Sequence, residues 1–600
     1  MSHTTATPNP ELRDFTATPR MILLSALSLF LGGAGALLAW ILLKLINICA
    51  NFFYFQRFSW QFNSPAHNQL HWFALFIPVI GGLIVGLLAR FGSDKIRGHG
   101  IPEALESILV NRAKISARVA LFKPLGSAVA IGTGGPFGAE GPIIMTAGSV
   151  GSLFGQFFKL TDAERTILLV AGAAAGMTGV FSTPLAATLL AVELFLFEWR
   201  PRSFIPVAVA ASTAGILRQY FFANDPLFPM PAISRSIHPL DLAGAIVVGL
   251  LAGLLALLLS RAVYASEDLF EHHLPIHWMW WPAIGGIVVG IGGLIFPGAL
   301  ATGYDVIDSL LTGNHAWQLI AGILIIKSII WSFSLGSGTS GGILAPLLMI
   351  GGALGALLSL FLPALSTGAW PLLGMTAILS GAVGCPLTAA VLSLELTHNY
   401  GLLLPVFVAS VTAHGLTVLL QKRSILTERI SRRGHHLSRE YSVDPLETIR
   451  VAEAMRTRVV ALPAGLTAAD ARKWFEKSRL PNDQRGQRLY PLVDEQGCLT
   501  GAITRRELAA WAANPLRNTT SPSISTPVVA HPRQTLRQVA ELMAALHLFV
   551  LPVVEPGTNK LLGLLNAEDV LRGRIRTHER ENKHERLRMP FQRRQVEQVN

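Results

Sequence analysis

Long apolar stretches punctuated by Gly and Pro fill the chain up to about residue 420. They run over Met21–Phe55, Trp72–Ala89, Leu242–Leu259, Pro282–Phe296, Leu319–Trp331, Gly341–Leu362 and Leu402–Leu420. Several are shorter than the ~20 residues a helix needs to cross a hydrocarbon core. A backbone broken at membrane depth is tolerated only where it lines a cavity or is buried in protein. The pattern predicts an all-α polytopic membrane region over residues 21–430, built from interrupted helices as transporters are.

The apolar region is duplicated. Pro78-Val-Ile-Gly-Gly-Leu-Ile-Val-Gly86 returns as Pro282-Ala-Ile-Gly-Gly-Ile-Val-Val-Gly290, 204 residues later. Gly132, Gly134, Gly138, Pro142 and Met145 match Gly336, Gly338, Gly342, Pro346 and Met349 at the same offset. Pro184-Leu185 and Glu193-Leu194 match Pro386-Leu387 and Glu395-Leu396, 202 apart. One register held across three separated blocks predicts two repeats meeting at a mid-membrane site.

Beyond residue 440 the hydrophobic pattern shortens to that of a soluble α/β region, after a linker at residues 431–450. Leu489-Tyr-Pro-Leu-Val-Asp followed by Gly501-Ala-Ile-Thr-Arg-Arg-Glu507 is echoed by Val550-Leu-Pro-Val-Val-Glu followed by Gly563-Leu-Leu-Asn-Ala-Glu-Asp569. Each unit reads as helix, strand, turn, strand, helix. The pair looks like tandem CBS modules, at residues 451–511 and 521–572, with a basic tail at 573–600.

Composition agrees with a membrane chain: 51% of the 600 residues are hydrophobic and 14% charged, against about 25% charged in soluble domains. The net charge of +12 is concentrated after Gln421, in Lys422-Arg423, Arg432-Arg433 and Arg572 to Arg594. Positive charge stays on the cytoplasmic side during insertion, so this end is expected inside the cell, as a face toward anionic lipid rather than nucleic acid. Met1–Arg20 lacks an apolar core before a small-residue cleavage site and is expected to be a cytoplasmic leader. Cys49, Cys385 and Cys498 show no paired spacing, which argues against a disulfide framework or a Cys-based metal site.

Candidate chemistry lies in three Gly-rich segments. Gly132-Thr-Gly-Gly-Pro-Phe-Gly-Ala-Glu-Gly-Pro142 carries one carboxylate and precedes a helical run; Gly341-Gly-Ile-Leu-Ala-Pro346 is its repeat mate; Gly98-His-Gly-Ile-Pro-Glu103 opens another helix with Pro in its first turn. Helix N-termini offer unpaired N–H donors and about half a positive charge, so their convergence would hold an anion weakly enough to release it.

Gly98–Pro102, Gly138–Pro142 and Gly342–Pro346 resemble, in order and spacing, the three anion-site motifs of the CLC chloride channel and transporter family, over about Ile22 to Leu426. The resemblance implies about eighteen tilted or broken helices in an inverted repeat, a homodimer with one pore per subunit, and a bound chloride ion. It makes Glu140 the gating carboxylate and assigns anion contacts to His99, Gly100, Ala139, Gly141, Ile343 and Leu344. His99 stands where the family usually has serine, and Leu426 where it usually has a tyrosine donor. Glu193 matches a helix-end glutamate, and Leu194 takes the place of the exchangers' proton-relay glutamate. CBS pairs often bind adenine nucleotides, and Asp569 with Asn566 fits the ribose-holding role better than Glu507.

A gated anion channel is therefore the leading expectation, with a proton-coupled anion exchanger as its alternative. A CBS-regulated divalent-cation transporter is the rival from another class, but Glu140, Glu193 and Glu395 are too few and too dispersed for it. His272-His273 and His435-His436 read as solvated loop pairs, and Arg200 and Arg202 as a membrane boundary. With no Ser/His/Asp arrangement and no phosphate-binding Gly-Lys-Ser/Thr loop, an enzyme is not expected.

Overall fold

The structure is a computed structural model that describes residues 19–222, 226–231, 236–313, 316–363, 365–434, 446, 449–477, 487–513 and 527–573. The chain divides into two compact units, Met1–Glu440 and Tyr441–Asn600.

Among the described residues the first unit contains eighteen α-helices, some continued by π-helical turns. The longest, Arg20–Phe55, has 36 residues and rises ~54 Å, well beyond the ~30 Å hydrocarbon core, so it has length to spare for a steep tilt. Seven helical segments are long and apolar enough to cross a membrane. Six of them coincide with apolar runs seen in the sequence. The seventh, Asp162–Phe181, does not stand out there: it opens with Asp162, Glu164 and Arg165 and continues in Ala and Gly. Conversely, the run Gly341–Leu362 yields only the 15-residue helix Leu344–Leu358, shorter than these seven. Helices apolar on every side are buried ones, and every residue of Ala369–Val383 is buried.

The two repeats pack on each other as inverted copies. A Cβ on Gly82 would lie 2.3 Å from the Pro282 carbonyl, and one on Gly286 would lie 2.4 Å from the Pro78 carbonyl. The duplicated block thus binds its own mate, glycine against proline in both directions. Such backbone contact is how helices associate where lipid removes any hydrophobic drive between them. Two fully buried lysines repeat the symmetry: Lys123 Nζ donates to the carbonyls of Ile96 and Gly98, and Lys327 Nζ to those of Ala299 and Ala301, all at 2.8 Å.

In the second unit, Leu462–Pro463 pairs parallel with Leu489–Val493, which pairs antiparallel with Leu499–Thr504. Val550–Val554 and Leu561–Asn566 form the equivalent antiparallel hairpin, flanked by a parallel bridge from Ala530 to Val553. Each sheet has its own apolar cluster, around Tyr490 and Leu508 in one and Leu551 and Val539 in the other. Backbone bonds from Leu499 to Asn559 and from Leu561 to Gly497 join the two sheets.

Candidate functional site

The three glycine motifs meet. Gly138 and Gly342 form an isolated antiparallel bridge, with N–H to carbonyl distances of 3.1 and 2.8 Å, and the Ser127 and Ser340 hydroxyls join beside them at 2.8 Å. A Cβ on Gly141 would fall 1.8 Å from the His99 carbonyl and 3.2 Å from the Gly342 Cα, and one on Gly100 would fall 2.4 Å from the Gly141 carbonyl. No side chain fits where these backbones cross. Gly100 also has φ 88°, a left-handed conformation that glycine adopts without strain.

From this crossing three helices depart: Ile101–Leu109 after Gly100, Glu140–Gln156 after Ala139, and Leu344–Leu358 after Ile343. Their first N–H groups have no partner within the helix. Gly141, Ile343 and Leu344 are buried at these starts. His99 is buried too, and its Nδ1 has no hydrogen-bond partner.

Glu140 is fully buried, and its carboxylate lies inside the motif ring. A Cβ on Gly138 would fall 1.8 Å from Oε2, and one on Gly342 2.5 Å from it. The carboxylate faces its own amide, the Ala345 amide and the Tyr304 hydroxyl, yet none of these contacts reaches full hydrogen-bond geometry. A buried oxygen left unpaired costs about 1–3 kcal/mol. The carboxylate is therefore held loosely, by donors that do not fully satisfy it.

Sequence reasoning overlooked several charges around the site. Glu103 Oε2 accepts the Gly100 N–H at 2.8 Å, so the first helix carries its own anionic cap, and Arg429 lies 3.4 Å from the other oxygen. Lys123 Nζ donates to the Ile96 and Gly98 carbonyls, at the start of the Gly98–Pro102 segment. Glu103 ends the Gly98–Glu103 segment, and Lys123 is a lone lysine in an apolar helical stretch. Beside them opens a cavity of about 440 Å³, lined by five acidic and five basic side chains, in which Arg97 stacks over Trp278 and Trp281 at 4.7 and 5.4 Å.

Leu426 is buried near the start of Ile425–Arg432, and Tyr264 from a different helix donates instead to the Ile425 carbonyl. Leu194 is fully buried in the π-helical turn Ala191–Leu196. Glu193 accepts from the Leu387 and Thr388 amides at 3.2 and 2.8 Å and from the Thr388 hydroxyl. His272 and His273 are exposed at the end of Pro239–His273, whereas His435-His436 lies outside the described residues. Arg200 and Arg202 each lie 3.4 Å from Glu198, where Pro201–Arg218 begins.

In the second unit Asp569 is buried and already engaged. Arg456 Nε donates to both its oxygens at 3.0 and 3.1 Å, and the Asn566 amide donates at 3.1 Å. Glu507 is held in a capping box by the Thr504 hydroxyl and amide, at 2.7 and 2.9 Å, which keeps its carboxyl below the usual range.

The family model described as voltage gated chloride channel matches residues 81–417, across all three motifs and both repeats. The chain belongs to this voltage-gated chloride channel family. Residues 451–514 and 523–575 match the CBS domain. Among curated relatives of this CLC chain, the voltage-gated ClC-type chloride channel ClcB of Salmonella typhimurium is 30% identical, covering 60% of this chain and 88% of that protein. ClcB of Escherichia coli O6:H1 is 31% identical, covering 62% and 90%. A slow cyanobacterial Cl−/H+ antiporter superposes with TM-score 0.62 at 23% identity, over 70% of this chain and 99% of that one. A CLC-type fluoride/proton antiporter gives 0.58 at 20%, over 68% and 98%. At these identities the superpositions establish the shared fold alone.

Proposed function

We propose that this CLC protein moves inorganic anions, chloride foremost, through the crossing of the three glycine motifs, with Glu140 as gate. The observation that carries the reading is the placement of the Glu140 carboxylate between Gly138 and Gly342, facing the starts of two helices. An ion in that place would meet N–H donors and helix dipoles, while the carboxylate would compete with it directly. His99, Gly100, Ala139, Gly141, Ile343 and Leu344 form the surround, mostly through backbone.

The pathway is passive in this reading. Buried Leu194 supports that choice over a proton-coupled exchanger, because no carboxylate stands at the inner proton station. The reading includes a homodimer with one pore per subunit in a bacterial-type inner membrane. It puts both termini in the cytoplasm, supported by Lys422, Arg423, Arg432 and Arg433 following the last span. The CBS modules at 451–511 and 521–572 would adjust transport, with an adenine nucleotide at Asn566 and Asp569 once Arg456 yields that carboxylate. Chloride efflux from proteoliposomes tests the assignment: efflux is expected from the purified protein, and divalent-cation uptake without chloride flux would overturn it.

A further inference from the structure

The Tyr304 hydroxyl is buried without a hydrogen-bond partner, and the group it faces is the equally unpaired Glu140 carboxylate. We infer that Tyr304 is a hydroxyl donor of the outer anion position, serving the Glu140 carboxylate while the gate is shut and the anion once the carboxylate has left.

Tyr304 is held in place for this. It opens the helix Tyr304–Thr312, the second repeat's counterpart of Ile101–Leu109, and both start after a left-handed glycine, Gly303 at φ 65° and Gly100 at φ 88°. The segment leading to it is fixed by the Lys327 ammonium on the Ala299 and Ala301 carbonyls. Its ring meets Phe228 edge-on at 6.0 Å. At Gly303 a Cβ would come within 2.5 Å of Met349 Sδ, which ties the start of this helix to the Leu344–Leu358 helix whose N-terminus faces Glu140. The hydroxyl thus approaches the carboxylate from the second repeat, on an element that sequence reasoning did not connect with the site. Leu426 supplies no hydroxyl, so among the described residues Tyr304 is the phenol that faces Glu140.

A purely structural Tyr304 would act through its ring. Tyr304→Phe keeps the ring and its contact with Phe228 and removes only the donor. The inference rests on Glu140 as gate, so the measurement has two arms. In the first, chloride is titrated calorimetrically into full-length Glu140→Ala and into Glu140→Ala/Tyr304→Phe. Loss of one hydrogen bond to a charged group predicts about tenfold weaker binding in the double variant. In the second, chloride flux is followed against pH for wild type, Glu140→Ala and Tyr304→Phe. The groups facing Glu140 are the two amides and this hydroxyl; with one donor to the ionised form removed, half-maximal flux is expected at a higher pH. Equal affinities together with superimposable pH profiles would overturn the role of Tyr304. PH-dependent flux persisting in Glu140→Ala alone would instead overturn the gate, whatever the first arm reads.

Discussion

Glu193 and Glu395 cap each other's helices. The Glu193 carboxylate accepts from the Leu387 and Thr388 amides at the start of Pro386–Thr397, the helix that carries Glu395. The Glu395 carboxylate accepts from the Leu185 and Ala186 amides at 3.0 and 2.8 Å, at the start of the helix that leads into Glu193. Each negative charge sits on the positive end of the other repeat's helix, so one exchange satisfies both. Both helices open with Pro, whose missing N–H and fixed φ suit the first turn.

Glu193→Ala should therefore behave as a lost cap. A cap residue and its dipole interaction together contribute about 1–2 kcal/mol. The expected result is a lower melting temperature with an unchanged dependence of flux on pH. A flattened pH profile in a variant that melts normally would make Glu193 a proton carrier instead.

Glu140→Gln and Glu140→Ala should abolish pH dependence while leaving anion flux, because neither side chain titrates and the Ala variant also empties the space between Gly138 and Gly342. Chloride flux measured from acid to neutral pH checks this. Wild-type pH dependence in either variant would refute the gate.

Gly141→Ala tests the crossing itself. A Cβ 1.8 Å from the His99 carbonyl cannot be accommodated without moving backbone, since carbonyls, unlike side-chain ends, do not rotate away. Overpacking of this kind costs about 1–3 kcal/mol or more. Chloride binding measured calorimetrically should be lost, and a variant that binds with wild-type affinity would show that the three motifs do not need this contact.

At the CBS pair, Arg456 and a ribose would compete for one carboxylate. Arg456→Ala should expose Asp569 and strengthen binding of an adenine nucleotide, whereas Asp569→Asn should weaken it; a buried carboxylate stripped of its cation is costly, so Arg456→Ala should also lower the stability of this unit. Calorimetry with ATP, ADP and AMP reads both. No heat in wild type or in Arg456→Ala would remove the nucleotide.

What the chain displays openly is backbone chemistry. Glycines that cannot bear a Cβ, prolines at helix starts and a repeated register survive as letters, so the Gly98, Gly138 and Gly342 segments and the fold they build can be read from sequence. Partnerships between distant side chains leave no such trace. Arg456 with Asp569, Glu193 with Thr388 and Tyr304 with Glu140 are separated by 100 or more residues, and nothing local marks the pairing even where one partner stands in a motif. The helix Asp162–Phe181 escaped notice for a related reason: its small residues suit protein contacts on all sides rather than lipid, so its hydropathy is modest although it is almost wholly buried.

A proton crossing alongside the anion needs either a titratable side chain inward of Glu140 or a water chain in its place. Leu194, at the position the proposed passive reading takes as the inner station, is fully buried and apolar, and the neighbouring Glu193 has its oxygens bound to the next repeat's helix start. A proton arriving there would have to break that cap to find a base. Under opposed chloride and pH gradients the reversal potential should therefore follow the chloride gradient and ignore the pH gradient. Leu194→Glu would restore a carboxylate at the vacant station, and a shift of the reversal potential with pH in that variant, absent from wild type, would assign the missing coupling to this one position. Proton movement in fixed ratio to chloride in the wild-type protein would overturn the passive pathway and require a water chain past Leu194.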